Sequence, residues 1–211
     1  MFDAQTILMF VLAATALALA PGPDNIFVLT QSALYGRVSG WWVTLGLCTG
    51  LLVHSALAAL GIAALVASSV FAYNGLKLVG ACYLLYLAWG AWRAKPVQVH
   101  EDPSSTPSLP PDNQRAMYLR GLIMNVSNPK VGIFFLAFLP GFADAGTGPV
   151  AWRMLVLGGW FIGVTLVVFG TVAWGAGFVG RWLRHSPRGQ VLINRVAALV
   201  FVGLAAHLLF G

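Results

Sequence analysis

Ala20-Pro21-Gly22-Pro23-Asp24-Asn25 interrupts a long apolar run near the beginning of the chain. The apolar residues before and after this stretch are together long enough to cross a bilayer, which takes ~20 residues of helix. Two prolines and a glycine break the hydrogen-bond ladder of a helix, and lipid tolerates a break only where protein or water satisfies the freed backbone groups. A carboxylate at that depth needs a partner, a proton or a function. The stretch therefore predicts a broken transmembrane helix over residues 4–34 that carries part of a transport site.

The composition indicates a polytopic membrane protein. Hydrophobic residues make up 59% of the 211 residues and charged residues only 9%, whereas soluble domains hold ~25% charged residues. The net charge is +6, but the basic residues lie between apolar segments, so the charge indicates membrane topology and not nucleic-acid binding. Cys48 and Cys82 lie in separate apolar segments and are interpreted as packing residues, with a disulfide left open.

The chain divides into six apolar stretches that are expected to span the membrane. They cover residues 4–34, 40–68, 71–92, 116–139, 150–179 and 190–210, and the first and fourth are broken. A polar segment with five prolines, residues 93–115, separates the third stretch from the fourth and has the composition of a linker. We therefore predict a first three-helix repeat at residues 1–92, a linker at 93–115 and a second three-helix repeat at 116–211.

The distribution of basic residues predicts the orientation in the membrane. The loops that follow the first, third and fifth stretches hold nine lysines and arginines, whereas the opposite side holds only Lys77 and Arg153. Basic residues are enriched in the cytoplasmic loops of membrane proteins. The linker is therefore predicted to be cytoplasmic, and both termini are predicted to lie outside.

The two predicted halves share three features in the same order. Each begins with a broken helix, continues with a helix that carries a G-x-x-x-G pattern, and ends with a helix that opens with a basic residue. The matching pairs are Pro23 and Pro129, Gly46–Gly50 and Gly159–Gly163, and Lys77 and Arg195. The glycine patterns are interpreted as helix-packing faces. Because three spans are an odd number, the predicted fold is an all-α membrane protein of six transmembrane helices, arranged as two inverted three-helix repeats whose broken helices meet at the site.

Both breaks supply candidate binding groups. Pro21-Gly22-Pro23 and Asn128-Pro129 expose the N-termini of half-helices, whose N–H groups and dipole favour an anionic group such as an α-carboxylate. The alternative is a packing kink, which is common in transmembrane helices. Asn25, Asn125 and Asn128 flank the breaks, and their amides either bind substrate or repair the interrupted backbone.

Three ionisable residues of the apolar stretches are candidates for substrate binding or proton coupling. Asp24 is predicted to bind a substrate ammonium, to carry a coupling proton or to pair with Lys130, and its alternative is to stabilise the first turn of its own helix. Lys130 is predicted to hold a substrate carboxylate or to neutralise Asp24, unless it extends to a membrane interface. His54 is a second candidate for proton coupling, and its alternative is a neutral histidine that hydrogen-bonds across a helix interface.

Known catalytic and nucleotide-binding motifs are missing from the sequence, which contains no H-E-x-x-H, C-x-x-C, G-x-S-x-G or Walker A pattern. We therefore predict no enzymatic activity, no cofactor and no metal site, and any active transport by this chain alone must use an ion gradient. Three alternatives remain open. They are efflux of another small solute or a cation, an intramembrane enzyme that uses Asp24 and His54, and a structural subunit whose kinks only serve packing.

Three stretches carry a resemblance to a known family. Residues 20–24 (APGPD), residues 76–87 (LKLVGACYLLYL) and residues 128–130 (NPK) followed by FFLAFLP at 134–140 resemble the LysE/RhtB family of amino-acid exporters, over nearly the whole chain. The resemblance implies a six-helix exporter in a prokaryotic inner membrane, driven by the proton-motive force. Members export lysine and arginine, or threonine, homoserine and other neutral amino acids. The expected partners are therefore a neutral amino acid of the threonine or homoserine type, protons and the lipid bilayer, and a homo-oligomer is allowed.

Overall fold

The computed structural model describes residues 2–20, 22–68, 70–94, 113–143, 149–176 and 186–210. Most of the predicted linker, residues 95–112, and the end of the fifth apolar stretch, residues 177–179, lie outside the described residues. In the described part of the chain all regular structure is helical, and there is no β-strand.

The helices follow one another along the chain with short connections. In order they are α1 (Ala4–Leu19), α2 (Pro23–Tyr35), α3 (Arg37–Ser68), α4 (Val70–Arg93), α5 (Gln114–Val126), α6 (Pro129–Ile133), a π-helical turn (Phe134–Phe138), α7 (Leu139–Phe142), α8 (Val150–Trp174) and α9 (Pro187–Phe210).

Four of these helices, α3, α4, α8 and α9, are each long and apolar enough to cross a membrane. Two further candidate spans meet the same criterion only as bent pairs of helices. The first pair is α1 and α2, with a bend of 63°, and the second is α5 with α6–α7, with a bend of 51°. By length and composition the described residues thus hold four membrane spans, or up to six if each bent pair is one span. The chain is an all-helical, multi-pass membrane protein, and it bends at both of the predicted breaks.

The ends of α1 and α2 follow from local sequence. The Asp3 carboxylate accepts a hydrogen bond from the Thr6 N–H at 2.6 Å and so caps the start of α1. Pro23 is the first residue of α2, where its missing N–H costs nothing and its fixed φ suits a helix. Gly36 ends α2 with a φ of 84°, a conformation that favours glycine.

A π-helical turn lies inside the second broken helix, and the sequence analysis did not predict it. Pro140 has no N–H for the Leu136 carbonyl. The N–H of the preceding residue, Leu139, bonds to the Phe134 carbonyl, five residues earlier, and not to the carbonyl four residues earlier as in an α-helix. The extra residue in this turn directs Phe134, Phe135 and Phe138 into the core, together with Phe10, Phe142 and Phe161.

Glycines let α3 and α5 cross in backbone contact. A Cβ on Gly46 of α3 would collide with the Tyr118 carbonyl, and a Cβ on Gly121 of α5 would collide with the Val43 carbonyl. Further along the same crossing, a Cβ on Gly50 would overlap the Asn125 side chain. The interpretation of Gly46–Gly50 as a packing face is therefore confirmed, and this crossing fixes the end of α5 against α3.

The interpretation of the second glycine pattern is wrong within this chain. A Cβ on Gly159 or on Gly163 would meet no atom within 4 Å. The packing glycine of this region is Gly158, where a Cβ would overlap the Ser55 side chain of α3. A helix turns by 100° per residue, so a shift of one position moves the contact to a different face.

Candidate functional site

The carbonyl groups at the end of α1 lose their usual donors because of two prolines. In an unbroken helix the N–H of residue 21 would bind the Leu17 carbonyl, but proline has no N–H. Lys130 of α6 supplies the replacement, because its Nζ donates to the Leu17 carbonyl oxygen at 3.2 Å and to the Ala20 carbonyl oxygen at 3.1 Å. An ammonium at the C-terminal end of a helix also interacts favourably with the helix dipole.

Asn25 and Gly22 complete this first break. The Asn25 Nδ2 donates to the Ala18 carbonyl oxygen at 2.6 Å, so Asn25 repairs the interrupted backbone, as one of its two predicted roles requires. A Cβ on Gly22 would lie 3.0 Å from the Lys130 Nζ. Glycine at this position therefore leaves room for the lysine ammonium beside the end of α1.

The second break repeats this arrangement with a histidine. Pro129 has no N–H for the Asn125 carbonyl of α5. The His54 Nε2 of α3 lies 3.1 Å from this oxygen, which also accepts from the Asn128 N–H at 3.0 Å. Because a carbonyl only accepts, the His54 Nε2 carries the proton. His54 is buried beside Phe135 and thus makes the cross-helix hydrogen bond of its alternative reading, while proton coupling stays a prediction.

Asn128 connects the two breaks directly. Its Oδ1 accepts from the backbone N–H of Lys130 at 3.0 Å, which caps α6. Its Nδ2 donates to the Asp24 Oδ2 at 3.1 Å. Asp24 thus accepts from Asn128, whereas Lys130 donates to the α1 carbonyls. The direct pairing of the two charges that the sequence allowed is replaced by a bridge through Asn128 and the end of α1.

A small cavity lies between the breaks. Its volume is about 20 Å³, and a water molecule takes ~10–15 Å³ on the same measure, so it holds one or two waters but not an amino acid. Its walls come from α1, α2, α3, α5, α6 and α8, through Leu17, Ala18, Asp24, Leu51, Asn125, Lys130, Val131, Phe161, Thr165 and Phe169. In this conformation the cavity is therefore too small for an amino acid, and a substrate fits only if the helices move.

Some buried oxygens at this site have no hydrogen-bond partner. They are the Asp24 Oδ1, the Asn125 Oδ1 and the Thr165 Oγ1, all from residues that line the cavity. The Asn25 Oδ1, beside the first break, is also without a partner. Buried polar atoms are rarely left unpaired in folded proteins, and such exceptions are associated with function or bound solvent. The lining of the cavity therefore combines polar side chains that have an unpartnered oxygen with apolar side chains.

The structure brings most of the predicted site residues together. Gly22, Asp24, Asn25, Asn125, Asn128 and Lys130 lie at the two breaks, and Pro23 and Pro129 are the first residues of α2 and α6. Pro21 lies outside the described residues. The Lys130 ammonium is held by carbonyls between helices rather than extended to an interface, and its predicted contact with a substrate carboxylate stays a prediction.

Sequence reasoning missed the contribution of α8. Phe161, Thr165 and Phe169 follow one another at intervals of four residues and line the cavity. The signal was present, because such spacing places three side chains on one helix face, and Thr165 is the polar member of an otherwise apolar row. Apart from His54, the predicted site residues all lie at the breaks, and α8 has no break.

Known proteins resemble the chain over almost its full length. The profile of the family described as LysE type translocator matches residues 15–211. A relative from Klebsiella pneumoniae, named leucine efflux protein, is 31% identical over 98% of this chain and 96% of its own. An uncharacterized membrane protein of Vibrio cholerae is 30% identical over 95% of each chain, and the uncharacterized membrane protein YrhP of Bacillus subtilis is 24% identical over 94% of this chain and 96% of its own. No solved structure gives a significant match. The chain therefore belongs to the LysE family of translocators, whose members are transporters rather than enzymes.

Proposed function

We propose that this protein is a secondary exporter of neutral amino acids, driven by the proton-motive force across a prokaryotic inner membrane. The observation that carries the proposal is the bridge between the two broken helices: Asn128 donates to Asp24, Lys130 donates to the end of α1, and Asp24 and Lys130 line a small cavity between the breaks. Charged groups inside a membrane protein are costly and mark substrate or ion pathways. Half-helices that meet at such a place are typical of secondary transporters.

The proposed architecture counts each bent pair as one span. Residues 1–92 and 116–211 then form two three-helix repeats of opposite orientation, joined by the linker at 93–115, with both termini outside. Support comes from the bends, which lie at the start of each half, and from the contact between them through Asn128. Rocking of one half against the other would open the cavity to each side in turn.

The site residues take complementary roles toward a zwitterion. Asp24 holds the substrate ammonium, while Lys130 and the N-termini of α2 and α6 hold the carboxylate. In the conformation of the structure, Lys130 donates to the carbonyls of α1, so it must release them to bind a carboxylate. Arrival of the substrate would thereby loosen the contact between the two breaks. Asp24 or His54 accepts the coupling proton.

Among neutral amino acids, aliphatic side chains fit the cavity best. Leu17, Leu51, Val131, Phe161 and Phe169 form its apolar part, which suits a branched hydrocarbon group better than a hydroxyl. Two relatives named leucine efflux protein agree with this preference. We therefore place leucine and similar amino acids ahead of threonine and homoserine, which the sequence alone favoured.

Counterflow in proteoliposomes tests the proposal. Purified protein is reconstituted into vesicles loaded with one unlabelled amino acid, and uptake of the same labelled amino acid is followed for leucine, threonine, homoserine and lysine. We expect leucine to exchange fastest and lysine not to exchange, with protein-free vesicles as the control. Absence of exchange for every amino acid by well-folded protein would overturn the proposal, and preference for lysine would overturn the neutral substrate.

Proton coupling needs a separate measurement. Vesicles with an imposed pH gradient should accumulate leucine on the acidic side, because export is coupled to proton movement in the opposite direction. A protonophore should abolish this accumulation and leave counterflow unchanged. Accumulation that persists with the protonophore would reject protons as the coupling ion.

A further inference from the structure

Thr165 differs from most other buried hydroxyl residues of the helices. A serine or threonine in an apolar helix usually donates to the carbonyl four residues earlier. Ser32, Thr44 and Ser55 do so here, at 2.6, 2.8 and 2.7 Å. The Thr165 side chain is only 2% exposed, yet its hydroxyl has no partner. Its hydroxyl is therefore available to a group in the cavity that it lines.

Two further unpartnered oxygens belong to residues of the same cavity wall. Asp24 and Asn125 are 4% and 3% exposed, and each has one side-chain oxygen without a donor. The three residues come from α2, α5 and α8, so three separate helices contribute one free oxygen each. The nearby Lys130 ammonium does not serve them, because it donates to the Leu17 and Ala20 carbonyls.

A primary ammonium matches this set of acceptors. It carries three N–H donors and a positive charge, whereas a water molecule offers two donors and no charge. One carboxylate oxygen, one amide oxygen and one hydroxyl oxygen would give each N–H a partner, and the carboxylate would balance the charge. The polar part of the cavity lining therefore has the chemistry of an ammonium subsite.

We infer that Thr165, Asp24 and Asn125 form the subsite for the substrate α-ammonium, and that Thr165 is a substrate-binding residue that selects amino acids over their hydroxy-acid analogues. This inference rests on the proposed export of amino acids. Phe161 and Phe169 lie one turn to either side of Thr165 on α8 and line the same cavity, so the substrate side chain lies against them.

The experiment compares leucine with 2-hydroxy-4-methylpentanoate, which replaces the ammonium by a hydroxyl and keeps the rest of the molecule. Half-saturation concentrations for both compounds are measured by counterflow with the wild-type protein and with Thr165→Val, Thr165→Ser and Thr171→Val. Valine keeps the shape of threonine and removes the hydroxyl. Thr171 lies on the same helix, but it is exposed and donates to the Val167 carbonyl, so Thr171→Val is the matched control.

We expect Thr165→Val to raise the half-saturation concentration for leucine ~10-fold or more, as befits loss of one hydrogen bond to a charged group. The half-saturation concentration for the hydroxy acid should rise less. The ratio of the two half-saturation concentrations, which measures the discrimination, should therefore fall by a similar factor. Thr165→Ser should stay close to the wild-type protein, and Thr171→Val should match it. If the role of Thr165 were only structural, the half-saturation concentrations for both compounds would change equally and the discrimination would stay unchanged.

The outcomes separate this inference from the proposed function. If the wild-type protein carries no amino acid, the proposed function fails. If it carries leucine but Thr165→Val keeps the same half-saturation and discrimination, only the ammonium subsite is refuted. Should Thr165→Val fail to fold, the wild-type protein still decides, because equal half-saturation for leucine and the hydroxy acid would overturn the subsite.

Discussion

Replacement of Lys130 by methionine tests whether this side chain satisfies the carbonyls at the end of α1, one of which loses its backbone donor to Pro21. Methionine keeps most of the stem and removes the ammonium, which leaves the Leu17 and Ala20 carbonyls without their lysine donor. An unsatisfied buried carbonyl costs ~1–3 kcal/mol, so two would cost ~2–6 kcal/mol. Loss of the buried ammonium also relieves its desolvation. We therefore expect a net loss of about 2–4 kcal/mol in the free energy of unfolding.

The assay is thermal unfolding of the purified variant in detergent. For a chain of this size each kcal/mol lowers Tm by ~2–4 °C, so Lys130→Met should unfold about 5–15 °C below the wild-type protein. Arg115→Met is the control, because it removes one positive charge from an exposed position at the start of α5 and should shift Tm by less than ~2 °C. A Lys130→Met variant as stable as the control would refute the argument that Lys130 satisfies the end of α1.

Three further predictions concern topology, the site and packing. A cysteine placed in the 93–115 linker should resist an impermeant thiol reagent in intact cells and react in inside-out vesicles; labelling in intact cells would contradict the orientation. Asp24→Asn should abolish most leucine counterflow at matched expression, because it removes the charge that we propose holds the substrate ammonium, whereas Asp3→Asn, at the exposed cap of α1, should carry leucine as the wild-type protein does. Gly46→Ala should destabilise the protein by ~1–3 kcal/mol through collision with backbone, whereas Gly159→Ala, where a Cβ meets nothing within 4 Å, should change Tm little; equal melting of the two would contradict the close crossing.

The broken helices were predictable from sequence because proline and glycine act locally. Pro23 and Pro129 are the first residues of α2 and α6, where a missing N–H costs nothing. The π-helical turn before Pro140 escaped prediction, although its cause is the same missing donor. A proline can be accommodated by a new helix start, a kink or an extra residue in the turn, and the surrounding core decides among them.

The candidate site was predictable where polar residues lie within apolar stretches of the sequence. Asp24, Asn128 and Lys130 met that criterion, and the structure joins them. Their hydrogen-bond partners were not predictable, because the acceptors of Lys130 are backbone carbonyls and every residue carries one. Thr165 was missed for a different reason: a threonine in an apolar helix normally satisfies itself, and only the structure shows that this one does not.

Each break is stabilised by a hydrogen bond from a side chain in the other part of the chain. At the first break, the Leu17 carbonyl accepts a hydrogen bond from Lys130, which lies in the later part of the chain. At the second break, the Asn125 carbonyl accepts one from His54, which lies in the earlier part. Each broken helix thus accepts a hydrogen bond from an ionisable side chain that lies on the other side of the linker in the sequence. If the two parts move against each other during transport, these bonds must break, and the freed groups must find other partners at once because they lie away from water. Under the proposed function, a zwitterion would supply both an acceptor for Lys130 and donors for the free oxygens. The proposed substrate would thereby lower the energetic cost of moving the two halves against each other, because it replaces the hydrogen bonds that this motion breaks.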